Sequence, residues 1–571
     1  MFYEVLIGSL AVFTLVTVIL TLVFRKKDSE GSVLEKFSSG LILFLDRFHI
    51  LFTILIFLVF LFTRLYYLGL IPAGIHVDEL GMAYDAFSLS RYGMDRHHVH
   101  FPVYLENYGG GQSVMYAYLT AMLLKVFPYS VKIIRLPAVL CGCMAFIASF
   151  FLVKDIAHGY FTDTKSEKAP ERAVALLGPL LVTVMPYYLT SERWGLDCNL
   201  FLSFATVALF LTVRAVLSGK RPFYVLAGLV WGLALYTYAV SYLIIPLFVL
   251  FLAVYLVCLR REKKTVLDLV SFLIPLILLG IPLVLFQMVN MGLLDAFTLG
   301  LSDFRPLKFY RASEFSFHNA FKNLPCVFMA MFASDGLLYD ALPVFGPVYP
   351  CMIPLLLYGA VLAIYDTVSS IRRRSVSLIA VIVLFFVASW LVFPLLTDPG
   401  LGNMNVIYVC FLVFIVYGIV SLGRIFKRSV MVCLLCMGLS FLLFVNFYFR
   451  EQNEVYGLHT LFYTTKPGDV IAYARQQYDP QHQKKLYVCL DYSDIDLQNL
   501  FAGLYDQVPA EMWTPDGEDY GNIRLNLPEE FDPEEDAVYI IGEDWGGVIS
   551  YLLSLGFHDD VTFDKEIILY R

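Results

Sequence analysis

Charge is what this sequence has least of: 16% of its 571 residues are Asp, Glu, Lys or Arg, against about a quarter in soluble globular chains. That shortage, with 59% hydrophobic residues and a mean hydropathy of +0.70, excludes a soluble globular protein and identifies an integral membrane protein. The ten cysteines are scattered, mostly in apolar runs and with no short secreted module around them, which excludes a disulfide-stapled scaffold and reads them as small hydrophobes. No glycine-rich phosphate loop follows a strand, so the P-loop and dinucleotide-binding classes are excluded as well. The segment near 3 to 24 has no basic leader and is too long for a signal-peptide core.

What is present is a series of apolar runs of about 20 residues, the length that crosses a bilayer as a helix, recurring up to about Phe447. They predict roughly twelve crossings. Lys and Arg concentrate in alternate loops: 25 to 48, KDIAHGYFTDTKSEKAPER, SGKRP, LRREKK, IRRR and GRIFKR. The positive-inside rule assigns these to the cytoplasm and the intervening loops to the outer face. An odd number of crossings must then separate Leu70 from Lys154, although two apolar stretches lie there. The shorter, 112 to 127, opens GGGQSVMYAY and reads as an amphipathic helix in the outer interface; the alternative, a true crossing there, would put the Lys154 loop outside and break the charge pattern after it. Twelve crossings from an outside start also leave the C-terminus outside.

Three regions follow. Residues 1–48 hold an extra crossing and a cytoplasmic loop, 49–449 form the main membrane domain, and 450–571 form a soluble extracytoplasmic domain. The last carries two dozen acids against fewer than ten Lys and Arg. Its runs at 486 to 490, 537 to 541 and 566 to 570 have strand length, while DLQNLFAGLYDQ and DWGGVISYLLSLGF have helical spacing, so a small α/β fold is expected. It holds no catalytic constellation. As an accessory domain that covers the cavity or engages an acceptor, it should be dispensable for donor hydrolysis in a chain ended after Arg450.

The first outer loop contains HVDELGMAYD, with Asp78, Glu79 and Asp85. An N-cap with acids in the first turn would account for the adjacent pair. So would chemistry, because acids at a membrane boundary need compensation and mark functional sites. FPVYLENYGGGQ adds Glu106 ahead of three glycines that let backbone N–H groups approach a ligand, and RYGMDRHHVH adds Arg91, Arg96 and three histidines. Spacing as tight as that of His97, His98 and His100 is commoner in a solvated loop than in a metal site. In LTSERWGLDCN, Arg193 and Asp197 stand four apart, either as an ion pair on one helix face or as a phosphate contact and a second acid. SDFRPLKFYRASE brings Arg305, Lys308 and Arg311 to the outer side, where cations are few unless they meet a lipid or substrate phosphate.

Read in order, DE leading a helix and a Tyr, LENYGGGQ before an aromatic-rich helix, IIRLPAVLCG, SERWGLDCN and LAGLVWGLALYTYAVSYLIIP resemble bacterial members of the GT-C glycosyltransferase superfamily, of the family 39, protein O-mannosyltransferase or aminoarabinose-transferase type. The resemblance covers roughly residues 49 to 425. It departs in the extra N-terminal crossing and in TDPGLGNMN, which has no arginine among its asparagines. It implies a multispanning α-helical GT-C fold with a small extracytoplasmic α/β C-terminal domain. The implied enzyme moves a hexose or pentose, with inversion, from a polyprenyl-phosphate donor to a lipid, glycan or protein acceptor on the outer face of the cell membrane. On that pattern Asp78 is the base, with Asp197 and Glu79 completing the catalytic acids. Arg193, Arg305 and Arg311 bind the donor phosphate, and Glu106, Asn107, Tyr108, Gln112 and Asn405 the sugar or acceptor. No metal ligand set is assigned, a divalent ion is left open, and no nucleic acid is expected. A transporter or flippase of lipid-linked saccharides is the alternative, although the charges crowd the boundary rather than the midplane and no repeat is visible; a scaffold presenting its acidic domain is a third.

Overall fold

A computed structural model describes residues 2–24, 33–107, 110–163, 170–309, 318, 320–333, 341–342, 344–397, 399–450, 462–463, 466–490, 503–513, 519–563 and 566–571. The chain divides into two compact units. One comprises Met1–Leu68, Arg135–Leu285 and Tyr310–Gln452; the other comprises Gly69–Ile134, Phe286–Phe309 and Asn453–Arg571.

The first unit is built of apolar helices, and the protein is a multispanning α-helical membrane protein. Among the described residues, eight helices are long and apolar enough to cross a membrane: Tyr3–Val23, Val131–Thr162, Cys198–Ser218, Ser241–Arg260, Lys263–Asn290, Pro350–Arg372, Ile407–Ile425 and Lys427–Arg450. A ninth is bent by 80° between Gly40–Arg47 and His49–Leu65. The described residues thus hold eight or nine such helices against the twelve expected; the other apolar stretches form shorter helices, Arg221–Ala234 and Ile379–Leu395, and a pair broken at Pro186, Leu177–Val184 and Pro186–Ser191. Met115–Leu124, in the 112 to 127 stretch, has ten residues. At about 1.5 Å per residue it is too short to span a core of about 30 Å.

Helices in this unit approach closely where side chains are missing. A Cβ at Gly359 would lie 1.8 Å from the Phe414 carbonyl oxygen, and one at Gly418 2.3 Å from that of Leu355. Packing by small residues of this kind lets two helix backbones touch where burial of apolar surface gives no drive. None of the ten cysteines is bonded to another. Cys433 and Cys436 are spaced C-x-x-C but sit buried on one membrane helix.

The break at Pro186 and the end of the His49–Leu65 helix explain two buried arginines. Proline lacks the N–H that would bond the carbonyl four residues back, and it pushes Met185 to extended geometry (φ −64°, ψ 131°). The Val182 and Thr183 carbonyls are thereby released, and Arg64 donates to both, at 2.7 and 2.9 Å. Its Nε donates to Glu192 at 2.7 Å. Arg193 reciprocates at the end of the His49–Leu65 helix, donating to the carbonyls of Thr63, Arg64 and Tyr66, each at 2.7 Å. In hydrocarbon every backbone polar group needs a protein partner, and these guanidinium groups supply donors for two helix ends.

The second unit holds a six-stranded sheet in the order His558–Asp560, Glu566–Tyr570, Ala537–Gly542, Lys485–Cys489, Ile523–Arg524, Asp519–Tyr520. The middle strands run parallel, Ala537–Gly542 with Lys485–Cys489 and the latter with Ile523–Arg524, whereas both edges are antiparallel. The three expected strands are present, each shifted by no more than one residue; the short 519–524 hairpin had no apolar run to announce it. DWGGVISYLLSLGF carries the helix Gly546–Ser554, and DLQNLFAGLYDQ lies mostly outside the described residues.

The sheet does not close its core from its own residues. One apolar cluster joins Val470, Ile471, Leu486, Val488, Trp513, Val538 and Ile540 to Leu80, Ala83, Tyr84 and Phe87 on the helix Val77–Tyr92. The Tyr84 and Trp513 rings lie 4.5 Å apart, and the Tyr84 hydroxyl donates to the Val508 carbonyl at 2.8 Å. Ile75 and His76, just before that helix, pair with Tyr463 and Phe462. The expectation that 450–571 could be removed with the loop chemistry intact is revised by this shared core.

Candidate functional site

The helix Val77–Tyr92 starts at His76, which has extended geometry and whose Nδ1 accepts the Asp78 N–H at 3.1 Å. Three residues on, the Glu79 carboxylate accepts the His76 N–H at 3.3 Å, closing a capping box with histidine in the cap. Burial holds the His76 pKa below its ordinary value, against the pull of Asp78 and Glu79. Glu79 is fully buried. It belongs to the helix terminus.

Asp78 is placed differently. Its side chain is 45% exposed, and Oδ1 accepts the Asn107 Nδ2 at 2.9 Å. Gln112 donates to the Asp78 backbone carbonyl at 3.4 Å. Asn107 and Gln112 stand on the two strands of a hairpin, Tyr104–Asn107 and Gly110–Ser113. The LENYGGGQ motif therefore serves to strap the acid, a use its glycines did not reveal. Tyr108 lies outside the described residues.

Behind Asp78 is a buried charge network. Asp85, two helical turns on, accepts the Arg96 backbone N–H at 3.1 Å and faces its Nη1 at 3.7 Å. Arg96 Nη2 donates to Asn107 Oδ1 at 2.6 Å and to the Glu106 carbonyl at 3.1 Å. This approach needs Gly81, where a Cβ would fall 2.4 Å from Asn107 Oδ1 and 2.7 Å from Arg96 Nη1. Asp95 binds the N–H groups of His97 and Val99, both at 2.9 Å. Burial raises the Asp85 carboxyl to about 6 against the opposing charge of Arg96, and burial, then the charge of Asp85, raises Asp95 to about 7. Burial followed by Arg96 pushes His97 down to about 3, and burial raises Glu106. Sequence reasoning named Arg96 without giving it a partner and passed over Asp95 and Gly81; the one signal for the latter was a glycine one turn after Asp78.

These shifts set a pH dependence. A carboxyl whose folded pKa lies above its unfolded value favours the protonated folded state, so the stability it gives is complete below about pH 4 and is lost as pH rises through 6 and 7. The thermal midpoint of the purified protein should fall between pH 5 and pH 8. Asp95→Asn keeps an oxygen for both N–H groups and should flatten that slope, whereas an unchanged slope would remove Asp95 as its source.

Arg305 is exposed and pairs with Asp303 at 3.7 Å, and Arg311 lies outside the described residues. Arg193 is fully buried and donates to three carbonyls. Asp197 and Asn405 belong, with Arg193, to the helical unit. Asp197 accepts the Cys198 N–H at 2.8 Å, and Asn405 donates to the Cys198 carbonyl at 2.7 Å, so both sit at the head of Cys198–Ser218. Among the described residues no three His, Cys, Asp or Glu are grouped to hold a metal ion.

No protein-family model and no curated protein matches this sequence. Solved structures do. ArnT from Cupriavidus metallidurans bound to undecaprenyl phosphate superposes with a TM-score of 0.50 at 11% identity, over 91% of this chain and 97% of that one. The Archaeoglobus fulgidus oligosaccharyltransferase in complex with zinc and sulfate superposes with a TM-score of 0.49 at 10% identity, over 80% of this chain and 61% of that one. At such identities the likeness is one of fold alone.

Proposed function

We propose that the protein is an inverting glycosyltransferase that moves one hexose or pentose from a polyprenyl-phosphate donor to a lipid, glycan or protein acceptor on the outer face of the cell membrane. The observation that carries this reading is Asp78: a carboxylate held by Asn107 on one oxygen, half open to solvent, on a GT-C chain. The ArnT structure of like fold was solved with undecaprenyl phosphate, a ligand of the proposed donor class.

In this reading Asp78 takes the proton of the acceptor hydroxyl as that oxygen bonds to the anomeric carbon. The bond from that carbon to the phosphate oxygen breaks on the opposite face, and the electron pair leaves with the polyprenyl phosphate. Attack opposite the leaving group inverts the anomeric centre. Arg305 and Lys308 are the cations of this unit proposed to meet the phosphate, with Glu106 and Gln112 available to sugar or acceptor hydroxyls. No role is assigned to Glu79 or Arg193.

The test is reconstituted protein supplied with a panel of undecaprenyl-phosphate-linked hexoses and pentoses, reading release of undecaprenyl phosphate and the anomeric configuration of the product. One donor should be consumed with inversion. A labelled donor that crosses proteoliposomes intact would instead support the transporter alternative.

Sidedness has its own expected result. In a chain lacking its ten cysteines, Ser554→Cys, exposed on the sheet domain, should react with an impermeant maleimide in intact cells, and Lys220→Cys in SGKRP should not. Reaction at 220 alone would invert the orientation.

A further inference from the structure

We infer that Arg96 is a positioning residue for Asp78, acting through the Asn107 amide; the inference rests on the proposed role of Asp78 as base.

The argument starts from what each group is able to do. Guanidinium is donor-only, a carboxylate acceptor-only, and an amide has one acceptor end and one donor end. Arg96 Nη2, 2.6 Å from Asn107, therefore fixes which end of the amide faces it: the oxygen. The NH2 end is left pointing at Asp78 Oδ1, 2.9 Å away. Were the amide free to turn over, its oxygen would face the carboxylate and repel it. Arg96 thus sets the polarity of a contact it does not make.

Arg96 is itself held from several sides. Its backbone N–H and Nη1 engage Asp85, its Nη2 also reaches the Glu106 carbonyl, and Nε donates to His97 Nε2 at 3.3 Å. The titratable and charged groups around it are Tyr84, Asp85, Asp95, His97 and Glu106, with Lys308 beside Glu106. Asp85 and Arg96 are both at least 96% buried, and the end of the arm fills the space that a Cβ at Gly81 would take. A buried ion pair seldom adds stability, but it can fix an orientation. Here the oriented group is an amide in the shell next to the proposed base, where a misplacement of about 1 Å can cost about 10²-fold in rate.

A double-mutant cycle on the reconstituted full chain tests this, with release of undecaprenyl phosphate from the consumed member of the donor panel as the readout. Asn107→Ala should lower kcat by about 30-fold and Arg96→Lys by about tenfold, with KM for the donor within about twofold, since the loss lies in the reacting geometry. In the Asn107→Ala background, Arg96→Lys should cost nothing further, because its route to Asp78 is already gone. Losses that multiply would overturn the proposal and leave Arg96 a role in folding alone. Should Arg96→Lys fail to fold, Asn107→Asp serves: it keeps shape and the Arg96 contact but turns an acceptor toward Asp78, and kcat should fall about 10²-fold. Wild-type turnover in Asn107→Asp would equally overturn the inference. Failure of the premise looks different, as Asp78→Asn would then remain active whatever the cycle gives.

Discussion

Asp78→Asn is expected to lower turnover by about 10³-fold while leaving the amount and thermal midpoint of the protein unchanged, since a positioned general base contributes roughly 10² to 10⁴. The replacement preserves shape, and the substituted side chain can still offer an oxygen to the Asn107 amide that now binds Oδ1. The lone pair that would take the acceptor proton is lost. Donor KM should hardly change, because a base acts on the acceptor in the transition state. Glu79→Gln is the informative companion. Glu79 is buried in the capping box, and its loss should appear as reduced stability, by about 1 kcal/mol as for other helix caps, with turnover per folded molecule preserved. Near wild-type turnover in Asp78→Asn would end the assignment of Asp78 as base and leave it a first-turn acid at a helix terminus.

Ending the chain after Arg450 is expected to abolish both donor hydrolysis and transfer. The truncation removes the sheet face against which Leu80, Ala83, Tyr84 and Phe87 are buried, and it removes the strand partner of Ile75 and His76. Each large apolar side chain returned to water costs about 1.5–3 kcal/mol. Three of them on one 16-residue helix approach the whole stability of a typical domain, roughly 5–15 kcal/mol. The helix that carries Asp78 should lose its fixed position, and the hairpin strap with it. Trp513→Ala is the graded version: Trp513 is 3% exposed and lies against Tyr84, so its truncation should cost about 3–5 kcal/mol and lower the thermal midpoint before it lowers turnover. A truncated protein that stays membrane-inserted and still hydrolyses donor would show that the helix holds Asp78 without the sheet.

The segment from 71 to 132 and the last 120 residues show how far a sequence can be read. Strand-length runs at 486, 537 and 566 were visible because alternation and burial are properties of neighbours in the chain. That Tyr84 would meet Val508 and Trp513 was not, since the partners are more than 420 residues apart and nothing local couples them. Arg193 makes the same point in reverse. Its fork of donors suits a phosphate, but Pro186 and the end of the His49–Leu65 helix created a demand for donors nearer at hand.

By itself the sequence determined that the chain spans a membrane many times, where its basic loops fall, that an acidic α/β segment follows the helices, and that Asp78 and Glu79 open a helix. Hydropathy, charge and capping act within about one helix length, so they can be read locally. Only the tertiary structure decided which of the two acids is open and which is spent on the cap, that Asp85 answers Arg96, and that the C-terminal sheet completes the core under the Asp78 helix. Those outcomes depend on hydrogen-bond partners and apolar surfaces brought together across long stretches of chain. Residue types limit such pairings, and the folded geometry selects among them.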